Sequence, residues 1–517
     1  MRLTLHESPT DEAEQLRRRR AQAEGAPLDT AAERSLADEL QEAYALYQQQ
    51  RGDRLTLATD PGERYEAIFG TQTLERLVAG GDMALLFRLA DEAFELAIDR
   101  RGGAGRGREA WGYPLPPAPI HQGELGGLDG TSCRGCHFSG GPDGAGSGSQ
   151  LALLRGDGER LSTASLRDPP PLMGAGPLML LAQQLSATLQ AQRDQCLSIA
   201  RIQARQVTRP LSAQGISFGA LSCQPTGEVD SAEVRGVSSD LQLRPFGWKG
   251  RHHDLALLSD EALQLHHGLQ SGARISRYWG DERARRRYLG AGGRYDPDED
   301  GVQGELRGAQ SALLGAYLSL LPVPSIRPPK DFSAQLDWAA GRAHFTDTGC
   351  AECHRPRLWV IPGPLTFSIG GRDTGEIQLP RVPAADGAGA PEPQPRRLDF
   401  APAVGARIPR GIPLFAFTDL RRHKMGPALA EPRSESPPDG SDPIPGDQWR
   451  TPALWGLADS APYLHDGRAQ TIEEAILAHG GEAEESRRRY LALALEERGA
   501  LRLFLSTLSH PAPLIVE

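Results

Sequence analysis

Two five-residue strings constrain this chain more than anything else in it: Cys133-Arg134-Gly135-Cys136-His137 and Cys350-Ala351-Glu352-Cys353-His354. C-x-x-C-H is the attachment pattern of c-type haem. Cysteines at that spacing bond both vinyl groups of one porphyrin, and the following histidine ligates the iron from one face. The strings hold four of the six cysteines in 517 residues. The expectation is two covalently bound haems, one per string. Aromatic residues make up only 6% of the chain, and bound porphyrin supplies flat apolar surface that aromatics usually bring to a core.

Two plainer readings compete. Both C-x-x-C pairs would meet at one structural zinc, or each would be a redox dithiol. Zinc gives no reason for histidine to follow directly both times, and the pairs lie far apart in sequence. Haem is the reading kept.

The length suggests two to four domains. A formal charge of −10 argues against nucleic acid or anionic lipid as partners. No apolar run reaches about 18 residues, so no membrane span is expected. Haem attachment implies export, hence a periplasmic location, yet Met1 to Arg20 lacks the apolar stretch of a signal peptide. That tension stays open. Cys196 and Cys223 either form a disulfide in that oxidising compartment or remain two buried thiols.

Amphipathic periodicity predicts helices over Ala31 to Gln50, Leu74 to Asp99 and Pro177 to Val207. Leu321 to Lys330, with four prolines, reads as a linker between halves. Residues 375–448, rich in Pro, Gly and Asp, read as long surface loops.

Three elements recur in one order. After the first pentapeptide come Arg167-Asp168-Pro169 with Leu172-Met173-Gly174, then Gly250-Arg251, then Glu261-Ala262 with His266 and Gly268. After the second come Arg450-Thr451-Pro452 with Leu454-Trp455-Gly456, then Gly467-Arg468, then Glu474-Ala475 with His479 and Gly480. This order predicts a duplicated haem domain and makes His266 and His479 candidate second ligands. Both are expected about two turns into a helix. One helix would open at Ser259 ahead of Asp260 and Glu261. The other would open at Thr471, with Glu474 completing a capping box.

These elements resemble the bacterial di-haem cytochrome c peroxidase superfamily, in its di-haem oxidoreductase branch. Trp449 to Leu457, running on to Ala461-Pro462-Tyr463-Leu464-His465-Asp466-Gly467-Arg468-Ala469, carries most of the likeness. Pro245-Phe246-Gly247-Trp248-Lys249-Gly250 and Phe417-Thr418-Asp419 with His423 to Gly426 add to it. The resemblance covers roughly residues 107–510. It implies an electron-transfer haem in the C-terminal half, with His354 proximal and His479 where the family usually has methionine. Histidine there lowers the reduction potential relative to His/Met ligation. It implies a peroxide-binding haem on His137, with Trp248 relaying electrons between the two. Asp168 matches a calcium ligand, backbone carbonyls near Ser460 and Pro462 completing the site. Two departures stand out. Arg160 replaces a switchable histidine, and His266 with His267 occupies the place of a catalytic glutamate. The acid–base role then falls to one of those imidazoles.

Weaker signals remain. Asp296 to Gly301 opens like a calcium loop but has Arg307 where the bidentate acid belongs. Arg17 to Arg20 reads as a charged helix face, His344 and His465 as structural, and His423 and Met425 as loop packing in preference to an approach to a haem edge. Arg285 to Arg287 and Arg487 to Arg489 are solvated faces or a docking patch for an electron donor.

The fold expected is mainly α: a helical extension (1–106), a peroxidatic cytochrome c-like domain (107–335) and an electron-transfer one (336–517). The function expected is a peroxidase-like oxidoreductase taking electrons from a small cytochrome c or cupredoxin and acting on peroxide or an oxidisable substrate. The alternative is a non-enzymatic carrier with both irons six-coordinate, on His137/His266 and His354/His479.

Overall fold

The computed structural model describes residues 83–98, 165–269 and 412–510 throughout, most of 130–154 and 305–369, and short pieces at 103–104, 120–121, 124–125 and 375–379. Helices carry the architecture of the described residues. α1 (Met83–Glu95), α2 (Ala175–Gln203), α3 (Leu255–His267) and α4 (Gly308–Leu320) precede the second pentapeptide. α5 (Phe332–Asp347) leads into it, and the pentapeptide itself opens with the one-turn α6 (Cys350–Cys353). α7 (Ile472–Leu477), α8 (Glu484–Ala492) and α9 (Leu495–Leu505) close the chain. Small antiparallel sheets fill the spaces between. Among the described residues the expected helices are present, but with these sheets the content is mixed rather than mainly α.

α2 shows why a helix forms where it was expected. Leu178, Leu181, Leu185, Leu189, Cys196 and Ala200 are buried at three- and four-residue steps or multiples of them, giving one apolar stripe. The helix stops at Ala204, whose φ of 52° leaves the right-handed region. The chain then returns as a hairpin, Val207–Ala213 against Ile216–Cys223. Its last residue, Cys223, is disulfide-bonded to Cys196, with Cα atoms 6.0 Å apart. That settles the two open alternatives for this pair.

Two apolar clusters form among the described residues. The first gathers Leu181, Leu189, Phe218, Leu255, Leu263 and Leu313, with Cys133 packed against it. The second gathers Trp338, Phe345, Phe417, Tyr490, Leu501 and Phe504, with Cys350 against it. Each pentapeptide thus borders its own core. The first cluster also takes in Trp455 from the C-terminal half of the chain. Gly174 has φ 76°, and a Cβ there would fall 2.2 Å from the ring of Trp455. Only glycine admits both the left-handed backbone and that ring.

Several expectations need correction. α3 opens at Asp254, not Ser259: the Asp254 carboxylate accepts the Ala256 and Leu257 amides at 2.7 and 3.2 Å. Ser259 lies inside the helix, its hydroxyl donating to the Leu255 carbonyl. Buried Leu255 and Ala256 extend the apolar stripe one turn earlier, which makes Asp254 the cap. His266 and His267 therefore sit in the last turn, and His479 lies just past the end of α7. Thr471 caps α7 as expected, its side chain accepting the Glu474 amide, but the Glu474 carboxylate accepts the Gln470 amide rather than that of Thr471, so the capping box is not completed as expected.

The supposed linker is also stitched in place, because Ser325–Ile326 pairs with Leu508–Ser509. Within the described residues, one stretch of the supposed loop region is interior. Leu414, Ala416, Phe417, Thr418, Asp419 and Leu420 are buried, and Arg422–Lys424 pairs with Gln448–Arg450. Polar composition misled here because the charges have buried counterions: Arg167 pairs with both Glu431 and Glu435. The expectations at Arg17 to Arg20, Ala31 to Gln50, Arg160, Arg285 to Arg287 and Asp296 to Gly301 lie outside the described residues.

Candidate functional site

Both pentapeptides open into one continuous cavity of about 520 Å³. Cys133, Cys136 and His137 line it, as do Cys350, Cys353 and His354. His266, His267, His479 and Trp248 face the same space. Phe94 of α1 reaches it too, so the segment before the first pentapeptide supplies a wall.

The histidines are held in a common way. Nδ1 of His354 lies 3.0 Å from the Phe417 carbonyl, and Nδ1 of His479 lies 2.7 Å from the Ala475 carbonyl. Nδ1 of His137 lies 3.1 Å from the Pro170 carbonyl and 3.3 Å from that of Gly144. A carbonyl only accepts, so Nδ1 carries the hydrogen and Nε2 keeps its lone pair. Burial pushes His137 and His354 down to about 4, with His266 adding to the first effect and His479 to the second. Neutral imidazoles with oriented Nε2 lone pairs are what a metal requires.

The second pair goes further. The rings of His354 and His479 have centroids 6.5 Å apart. Two imidazole nitrogens bound at about 2 Å to one ion put ring centroids roughly 6 Å apart. At the first site His267 Nε2 lies 4.0 Å from Cys133 Sγ, and burial, then His266, pushes it down to about 3. His266 is half-buried in the cavity wall. Burial, and next the neighbouring Cys136, raises the Cys133 thiol to about 12, and burial raises Cys350 as well. Half-buried, unionised sulfur beside each histidine fits a thioether better than a thiolate. The donor set, orientation and space therefore fit haem.

The zinc alternative does not fit. Among the described residues, the one cluster of three close donors is Cys353, Asp419 and His423, so the four pentapeptide sulfurs do not converge. His423 is held from both sides, Nε2 by Asp419 at 2.9 Å and Nδ1 by Glu482 at 2.8 Å. It has no lone pair to spare for a metal. His423 and Met425, read as loop packing, both line the cavity.

Trp248 stands where the repeated segments meet. Its indole donates to the Asp168 carbonyl at 2.8 Å, and its own carbonyl accepts the Arg450 amide at 3.2 Å. Asp168 is buried, and its carboxylate accepts the Gly148 amide. Burial, with Asp466 nearby, raises it to about 6. His465 stacks on Trp449 at 3.8 Å, and its carbonyl accepts the Asp168 amide.

Sequence reasoning missed an acid in the cavity wall. Glu261 of α3 is buried, accepts a hydrogen bond from Arg251 at 2.8 Å and contacts His252 Nε2. All three line the cavity. Glu261 had been assigned to the first turn of its helix, and the true start at Asp254 moves it inward.

Residues 406–508 match the family model described as "Di-haem oxidoreductase, putative peroxidase". The likeness to the di-haem oxidoreductase branch holds for that segment. No curated protein matches the chain. A solved structure of Kuenenia stuttgartiensis hydrazine synthase is 18% identical, over 39% of this chain and 55% of that one, with a TM-score of 0.21. That superposition is too poor to define the fold. Among the described residues, no helix is long and apolar enough to cross a membrane.

Proposed function

We propose that the chain is an exported c-type di-haem oxidoreductase of the peroxidase kind. One observation carries the reading: two C-x-x-C-H strings face one cavity, each with a half-buried, neutral histidine lining it. Cys133 and Cys136 would hold one haem with His137 as proximal ligand, and Cys350 and Cys353 the other with His354. When bound, the haems supply electron storage and, at an open iron position, reduction of a peroxide O–O bond.

The chain's residues divide the remaining work. His479 faces His354 and would close the second site as an electron-transfer centre. Trp248 bridges the two repeated segments by hydrogen bonds and would relay electrons. At the first site His266 or His267 would move a proton between peroxide oxygens, and Glu261 with His252 offers a second proton carrier in the same wall. Calcium at Asp168 would relieve a carboxyl held up by burial and a second acid. The duplication gains support from backbone conformation. Gly174 and Gly456 share positive φ, 76° and 66°, as do Gly250 and Gly467, 69° and 67°. The halves would divide near 107–335 and 336–517, after a helical extension over 1–106.

The second reading, a carrier with both irons six-coordinate, is favoured by the His354–His479 approach and by the presence of His266 in the cavity that His137 lines. Electron paramagnetic resonance of the haem-loaded protein separates the two. A high-spin ferric fraction that changes with peroxide supports the enzyme, and wholly low-spin iron indifferent to peroxide and cyanide rejects it. A colourless protein of unmodified mass, matured in a host that attaches c-type haem, rejects both.

A further inference from the structure

Behind the first pentapeptide lies a polar cluster that the reading above leaves without a task. Tyr317 of α4 is completely buried. Its hydroxyl stands 2.8 Å from Asp143 Oδ1 and 2.9 Å from Asp91 Oδ1, and Arg134 donates to it at 2.9 Å. Arg134 belongs to the pentapeptide and also pairs with Glu95 at 3.1 Å. One phenolic hydrogen faces two carboxylates, so proton position in this cluster is shared among Tyr317, Asp143 and Asp91. Burial first, then Asp143, pushes the Tyr317 phenol upward, so it stays protonated at rest. Burial raises Asp143 to about 6 against the pull of Arg134, making it a usable base near neutrality.

The ring of Tyr317 is not isolated from the cavity. Its centroid is 5.2 Å from that of Phe94, and Phe94 is 6.2 Å from His137. Leu314 and Leu318, on the same helix, line the cavity directly. Tyr317 therefore sits one layer behind the wall on the side of His137, shielded from solvent. A buried phenol with a hydrogen-bonded carboxylate, one ring from an oxidising centre, has what one-electron oxidation requires: a place for the electron and a place for the proton.

We propose that Tyr317 is an oxidisable residue of the N-terminal site, giving one electron through Phe94 and His137 and its phenolic proton to Asp143. The proposal rests on the peroxidase reading, with hydrogen peroxide as oxidant. Peroxide takes two electrons and two protons to break its O–O bond and leave two waters. Tyr317 would supply one of those electrons and the external donor, by way of the C-terminal site, the other, with both protons drawn from solvent through His266 or His267; the Tyr317 O–H bond breaks, and Asp143 retains its proton beside a neutral phenoxyl. An electron from the donor, with the proton returned by Asp143, restores the phenol. Arg134, which donates to the same oxygen, is a positioning residue that keeps the phenol against the attachment loop.

The test uses the haem-loaded full chain, frozen rapidly after hydrogen peroxide is added, with the Soret band and the free-radical paramagnetic signal both recorded. A tyrosyl signal that narrows when the protein carries ring-deuterated tyrosine is expected in the native chain. Tyr317→Phe keeps the ring and its packing, and should abolish that signal while the Soret response persists. Asp143→Asn should lower its yield. A full tyrosyl signal in Tyr317→Phe, or none in the native chain despite a changed Soret band, overturns the proposal alone. A Soret band that ignores peroxide overturns the peroxidase reading and this inference with it.

Discussion

Phe504→Ala tests whether the second core holds the second site in register. Phe504 is 0% exposed. Its ring lies 5.8 Å from Trp338, 5.5 Å from Phe345 and 6.0 Å from Phe417. Emptying a buried phenylalanine costs about 3–5 kcal/mol. Three ring pairs in the favourable distance range place this residue toward the upper part of that interval. We expect a loss of about 4 kcal/mol, which for a unit of this size lowers the melting temperature by roughly 8–16 °C. The loss should also reach the site, because the Phe417 carbonyl fixes Nδ1 of His354 at 3.0 Å. Calorimetry of the haem-loaded chain gives the first number, and the paramagnetic spectrum of the low-spin iron the second effect. Phe504→Leu should recover more than half of the stability. A loss below about 1 kcal/mol for Phe504→Ala, or an undisturbed low-spin signal, would refute the reasoning.

Replacing Cys196 and Cys223 by serine opens a link with a sequence separation of 27. Loop entropy puts the cost at about 3.5 kcal/mol, read as a drop in the urea midpoint, and an unchanged midpoint contradicts it. His423 should make stability pH-dependent. Burial opposes its charge, but hydrogen bonds to Asp419 and the contact with Cys353 raise it to about 10. A raised value means the stabilisation is complete below the unfolded value of about 6.5 and disappears as pH rises through about 10. Urea midpoints measured from pH 6 to 10 should fall, and Asp419→Asn should flatten that profile.

The parts legible in the sequence were those written as short-range spacing. The pentapeptides, the α2 stripe and the Thr471 cap each depend on residues a few positions apart, and local geometry translates them directly. The start of α3 was misplaced because Ser259 and Asp254 are both good caps, and burial of Leu255 and Ala256 decides between them. Residues 412–435 were misread for a related reason. Their charges look solvated until Arg167 is brought against Glu431 and Glu435 from the other half of the chain. Glu261 was read as a helix-start acid until the true start placed it inside α3, and Tyr317 gave no local signal, since it owes its significance to Asp91, Arg134 and Asp143, far away in sequence.

The sequence by itself determined that this chain holds two C-x-x-C-H strings, each followed by the same three segments. It thereby supplied the grounds for reading a di-haem protein. Only the tertiary structure decided that both strings open on one cavity, that backbone carbonyls orient three of the imidazoles, and that His479 stands opposite His354. Bond-length spacing along a chain is a local property and survives in the sequence. Which carbonyl meets which ring nitrogen is fixed by how the cores pack, and no local pattern carries it.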